Sequence, residues 1–198
     1  WQDKKALLRI LLASFLIAAN WLIYIYAVGH DQATQASLGY YIMPIVSILF
    51  ALVFLRESLS RTMWTAVVLA FIGVLVLVVN TGKLPMVSLG LALSFGFYGL
   101  IKKGVKLSSD VAMLVESGFL LPFVAIYLIF FSPESFSSYS TLEMVLLAIS
   151  GVVTAVPLLC FSEAVKRAPL NLIGFIQYLN PTIQLLVAIL IFGETVSF

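Results

Sequence analysis

Charge, cysteine and histidine are all scarce in this chain. Of its 198 residues 10% are charged, one is a cysteine (Cys160) and one a histidine (His30). With 62% hydrophobic residues and a mean hydropathy of +1.13, there is too little polar surface to coat a water-soluble globule of this size. The shortage also bears on chemistry. No closely spaced His, Cys or carboxylate set offers a metal site or a nucleophilic triad. No strand pattern is present, so no glycine-rich phosphate loop follows a strand, and a nucleotide-driven pump is not indicated. Neither a catalytic residue nor a cofactor is expected. A net charge of +2 calls for no nucleic acid partner. Cys160 lies within an apolar run and reads as core packing.

What the chain does have is long apolar runs. A membrane-spanning helix needs roughly 20 mostly apolar residues. Seven stretches qualify: about 6–28, 33–55, 62–80, 86–101, 111–131, 143–163 and 169–192. The runs are continuous, where the strands of a membrane barrel would alternate apolar and polar residues. An all-α integral membrane protein is expected. Seven crossings from a cytoplasmic start place Lys4, Lys5, Arg9, Arg56, Arg61, Lys102, Lys103, Lys106, Lys166 and Arg167 on one side and Lys83 on the other. That bias sets the orientation, with His30, Asp31 and Glu134 facing outward. The short fourth stretch is dense in small residues (Gly90, Ala92, Ser94, Gly96, Gly99), which allow close helix approach and place it inside the bundle. Lys102 and Lys103 at its end are expected to lift their charges to the headgroups.

Polar punctuation is written twice, 137 positions apart. Tyr41, Pro44 and Glu57 recur as Tyr178, Pro181 and Glu194, and positions 27–60 align with 164–197 at eight identities. Tyr, Pro and Glu are rare inside lipid-facing helices, so their common spacing points to an internal duplication. Extending the offset of 137 puts about two helices before residue 1 and one after residue 198. The expected whole is therefore ten helices in two five-helix units, of which about seven are in this chain. Residues 1–80 would hold the last three helices of the first unit, and 86–198 the first four of the second. A unit with an odd number of spans inverts on repetition, and two inverted halves in a membrane suggest a transporter. A retinal protein would need a lysine in the middle of the last stretch, and 169–192 has none.

The stretches Asn20-Trp21, Ser37-Leu38-Gly39-Tyr40-Tyr41 with Pro44, Leu89-Gly90-Leu91-Ala92-Leu93-Ser94-Phe95-Gly96-Phe97-Tyr98-Gly99-Leu100, Val156-Pro157-Leu158-Leu159-Cys160-Phe161 and Gly174-Phe175-Ile176-Gln177-Tyr178 resemble the RarD-type branch of the EamA transporters, within the drug/metabolite transporter superfamily. The resemblance covers nearly the whole chain. It implies inverted five-helix repeats around a central cavity, alternating access, export of metabolites or drug-like compounds, and a place in the bacterial plasma (inner) membrane. Small solutes and the lipid bilayer are the partners it implies. One departure is Arg56, where the family pattern has Gly before Glu, as in Gly193-Glu194.

Helical spacing marks a candidate solute path independently of any family. Gln177, Asn180 and Gln184 fall on one helix face, and Pro181 frees a backbone carbonyl one turn earlier. Asn20, Trp21 and Tyr24 on the first stretch, Tyr41 on the second, Ser94 and Tyr98 on the fourth, and Tyr178 on the seventh complete the set. A mostly apolar pocket with a few orienting polar groups would follow. The alternative for Asn20, Tyr24 and Tyr98 is hydrogen-bonding glue between helices. Pro44 and Pro181 read as kinks, and as candidate hinges. Glu116 lies a few residues inside the fifth stretch, where a carboxylate is a functional candidate by default and would serve to couple transport to protons. Its alternative is a hydrogen-bonded structural acid. Glu57 is expected to pair with Arg61, and Glu163 with Lys166 or Arg167, at one-turn spacing. Glu194 should find a partner beyond this chain.

Overall fold

The computed structural model describes residues 4–30, 32–81, 86–131 and 139–190. These form eight α-helices: α1 (Lys4–Gly29), α2 (Ala33–Leu55), α3 (Arg61–Thr81), α4 (Met86–Lys103), α5 (Ser109–Phe130), α6 (Thr141–Arg167), α7 (Leu170–Gln177) and α8 (Leu179–Leu190). Among the described residues no strand occurs. Within α1, α2, α5 and α6 lie four segments long and apolar enough to cross a bilayer. Exposed apolar side chains run along the helices, among them Leu69 and Val76 on α3, Ile126 on α5 and Val152 on α6, and they suit hydrocarbon. The chain is an all-α integral membrane protein.

Helix ends follow local chemistry. Ser140 and Glu143 form a reciprocal capping box at the start of α6: Ser140 N–H donates to Glu143 Oε2 at 2.7 Å, and Glu143 N–H donates to Ser140 Oγ at 3.3 Å. Ser60 Oγ accepts from Met63 N–H at 3.2 Å at the start of α3. Pro169 stops α6 and opens α7. Six of the seven apolar runs give one helix each. The seventh, 169–192, does not stay whole: it is interrupted at Tyr178, three residues before Pro181, which has no N–H for the Gln177 carbonyl. α2 passes through Pro44 unbroken.

The chain divides into two compact units, Trp1–Phe15 with Ile101–Arg167, and Leu16–Leu100 with Ala168–Phe198. In the first, Ile10, Val105 and Ala112 form a buried cluster with Leu107 and Val115 packed on it. The second has its core around Leu38, Ile42, Met43, Val46 and Ala92. There α4 lies inside, as its small residues lead one to expect: Ser88, Leu91, Ala92, Ser94 and Tyr98 are buried. A Cβ on Gly96 would stand 2.7 Å from Val46 Cγ1 and 3.1 Å from Phe50 Cε2, so a glycine is needed for that approach. Cys160 departs from the sequence reading. It is exposed on α6, because the buried face of α6 is carried by Ser162 and Val165.

Candidate functional site

The residues singled out from sequence fall in both units, and most lie in the second. Asn20 is buried on α1 and donates through Nδ2 to the Leu91 carbonyl at 2.9 Å and to Ser94 Oγ at 2.8 Å. Ser94 Oγ in turn donates to the Gly90 carbonyl at 2.7 Å. These bonds tie α1 to α4, the geometry expected of the alternative reading of Asn20 as interhelical glue. Tyr24 meets Tyr40 edge-on, with ring centroids 6.1 Å apart. Trp21 is exposed, Tyr41 is half-buried, and Tyr98 is fully buried with its ring 5.9 Å from that of Phe95.

The remaining residues singled out from sequence gather around α7. Gly174 packs on α2, where an added Cβ would stand 2.7 Å from Ile48 Cγ1 and 3.1 Å from the Pro44 carbonyl oxygen. One turn on, Ser47 Oγ donates to Gln177 Oε1 at 3.3 Å. Tyr178 sits at the break between α7 and α8, half-buried, and its hydroxyl oxygen is buried with no hydrogen-bond partner among the described residues. Pro181 is buried and Asn180 exposed. Of the expected polar stripe, Gln177 precedes and Asn180 follows the interruption at Tyr178, where the backbone keeps right-handed helical angles; the Gln184 side chain lies outside the described residues. The helices of this unit carry no Asp, Glu or Lys among the described residues, and Arg61 at the start of α3 is their one Arg.

At the basic end of this unit Glu57 does something local spacing did not suggest. Its Oε1 accepts from Leu170 N–H and its Oε2 from Asn171 N–H, each at 2.9 Å, where Arg61 was the expected partner. Capping the N-terminus of α7 satisfies two otherwise unpaired donors and suits the helix dipole. Asn171 and Ser47 are the residues the sequence reading missed. Ser47 lies one turn beyond Pro44 on the Tyr40-Pro44-Ser47 face, a spacing that could have found it.

The first unit holds the buried charges. Lys102 Nζ donates to Glu116 Oε1 at 2.7 Å, with side-chain exposures of 0% and 4%. This corrects the expectation that Lys102 reaches the headgroups: its stem turns inward to a carboxylate on α5. Lys103 Nζ donates to the Val165 carbonyl at 3.3 Å, and Lys166 Nζ to the Leu107 carbonyl at 2.6 Å. Glu163 pairs with Arg167 through Nε at 2.6 Å, as expected, and also accepts from Ser109 Oγ at 2.6 Å. His30 stacks on Tyr26 at 4.0 Å. Among the described residues no group of three His, Cys, Asp or Glu could hold a metal ion. Asp31, Glu134 and Glu194 lie outside the described residues.

The EamA-like transporter family model matches residues 1–79. Protein RarD of Salmonella typhimurium is 44% identical over 204 residues, an alignment covering 98% of this chain and 69% of that protein. This chain belongs to the RarD-type branch of the EamA family. The uncharacterized transporter YojE of Bacillus subtilis is 42% identical over the whole chain and 68% of its own length. The chloramphenicol-sensitive protein RarD of Pseudomonas aeruginosa is 29% identical over 92% of this chain and 62% of its own. No solved structure matches this chain. As an EamA protein it is a membrane transporter of the drug/metabolite type, integral to the bacterial inner membrane.

Proposed function

We propose that this RarD-type protein exports small organic solutes by alternating access, with two inverted five-helix repeats moving around a central path. Residues 1–80 belong to the first repeat and 86–198 to the second. The observation that carries this reading is the packing of the duplicated segment on its own copy: α7 lies against α2, with Gly174 on Pro44 and Gln177 on Ser47. Repeat-related helices that meet at a polar contact near the prolines, one whole and one broken, fit a transporter whose solute binds between repeats.

Asn20, Trp21, Tyr24, Tyr41, Ser94, Tyr98, Gln177, Tyr178 and Asn180 are the residues assigned to the solute path, with Asn20 and Ser94 also tying α1 to α4. Pro44 and Pro181 are assigned as hinges, and the break at Tyr178 supports the second of them. Glu116 is assigned to proton coupling, with Lys102 as the cation it must leave or retain during the cycle. The helices of the second unit, with Arg61 at the start of α3 as their one charge among the described residues, make neutral aromatic or amphipathic solutes the first class to test. The name of the Pseudomonas aeruginosa relative makes chloramphenicol the first probe. Full-length protein in proteoliposomes should move labelled chloramphenicol, or a leading compound from metabolite profiling of cells with and without the gene, with saturable kinetics. Absence of saturable flux for every compound so identified would refute the reading.

A further inference from the structure

Arg56 ends α2 with φ of 53°, the one positive φ at a non-glycine residue among those described. A side chain is disfavoured in that conformation, and the equivalent position 137 residues on is Gly193. The turn brings the Glu57 N–H to the Ala51 carbonyl at 3.0 Å. It leaves the Glu57 carboxylate on the Leu170 and Asn171 N–H groups of α7, each at 2.9 Å. Asn171, itself buried, closes the loop by donating from Nδ2 to the Ser58 carbonyl at 3.3 Å. Pro169, at the head of α7, has no side-chain acceptor to offer. The first N–H groups of α7 therefore take their acceptor from a residue 113 positions away.

We propose that Glu57 and Asn171 form a latch, set against the disfavoured turn at Arg56, that holds the basic-side ends of α2 and α7 together and releases once in each transport cycle; the proposal rests on the alternating-access reading above. Two features distinguish a latch from a permanent staple. The Glu57 side chain is only half-buried and Ser58 is exposed, so water replaces each bond when the ends part. The Lys102–Glu116 pair, at 0% and 4% exposure, has no water at hand to replace its bond. Moreover, the left-handed conformation of Arg56 disfavours the closed arrangement and brings it nearer to balance with the open one. Glu57 is a positioning residue: it acts on the solute through the separation of α2 and α7.

The test uses full-length protein with Cys160 and any cysteine outside residues 1–198 replaced by Ser as background, and Ser47→Cys as reporter. Ser47 is 3% exposed and faces Gln177, so a membrane-impermeant maleimide added on the basic side reaches Cys at that position only when α2 and α7 separate. Glu57→Ala should raise the labelling rate roughly tenfold, as expected for the loss of charge-assisted bonds to two N–H groups. Asn171→Ala should raise it less, and Arg56→Gly should lower it by relieving the closed state. Unchanged labelling in Glu57→Ala, or faster labelling in Arg56→Gly, overturns the latch. Should Glu57→Ala fail to fold, Asn171→Ala and Arg56→Gly decide the matter by the same directions. A second readout separates latch from staple. Joining Ser58→Cys to Asn171→Cys with a short bis-maleimide should stop chloramphenicol flux, whereas full flux across the cross-link overturns the proposal. The labelling pattern in a protein that moves no solute upholds the latch as a gate and removes the transport reading instead.

Discussion

Lys102 on α4 and Glu116 on α5 make a 2.7 Å ion pair from which both side chains are almost wholly withdrawn, at 0% and 4% exposure. Breaking a buried pair by removing one partner leaves an uncompensated charge and costs about 3–5 kcal/mol, while replacing both by apolar groups is often neutral. Lys102→Met alone and Glu116→Leu alone should therefore each lower the unfolding midpoint of the detergent-solubilised protein sharply. The double variant should recover most of the loss. Equal losses that simply add would show that the two charges are stabilised separately. Glu116→Gln, which keeps an acceptor for Lys102, tests the coupling assignment: flux should lose its dependence on an imposed pH gradient. If flux and pH dependence both survived that substitution, Glu116 would be a structural acid.

Asn20 spans two acceptors on α4, and the two roles open to it predict different measurements. Interhelical hydrogen bonds in membranes are worth about 0.6 kcal/mol on average and up to about 1.7. As glue, Asn20→Ala should destabilise by about 1–2 kcal/mol. Ser94→Ala should cost less than Asn20→Ala, because Asn20 keeps the Leu91 carbonyl. A change in the KM for solute with no change in melting would assign Asn20 to the path instead.

Four of the spans were legible because hydrocarbon imposes a length: the run read as 33–55 is the helix Ala33–Leu55, and 111–131 is Ser109–Phe130. What escaped was set by distant partners. Spacing on one helix suggested Arg61 for Glu57, and nothing local announces the N–H groups of Leu170 and Asn171, more than 110 residues on. A lysine at a helix end reads as a headgroup contact, and only the neighbouring α5 turns Lys102 inward. Proline alone did not say which helix breaks. Pro44 and Pro181 share one sequence spacing, yet α2 continues through its proline where the run 169–192 is interrupted at Tyr178.

Gly174 lets α7 approach α2 to a distance that any side chain would block. Its added Cβ would stand 2.7 Å from Ile48 Cγ1, an atom next to the Cβ of a branched side chain that has little room to swing away. Overpacking of this kind costs about 1–3 kcal/mol. Gly174→Ala should lower stability by that amount, and Ile48→Ala in the same chain should restore part of it. The check is a double-mutant cycle on unfolding midpoints: a coupling near zero would mean the two helices part freely there.

Tyr178 offers the cleanest separation of binding from folding. Its hydroxyl oxygen is buried without a hydrogen-bond partner among the described residues, and an unmet buried hydroxyl costs about 1–3 kcal/mol. Tyr178→Phe removes that penalty and keeps the ring, so the variant should be at least as stable as its parent. If the hydroxyl is held unpaired for a solute, the same variant should lose flux, with a raised KM and an intact fold. A structural hydroxyl would behave the other way, with melting lowered and KM unchanged. Because the two roles move the two measurements in different directions, one substitution with both readouts decides whether the break in the seventh span is a binding element or a packing one.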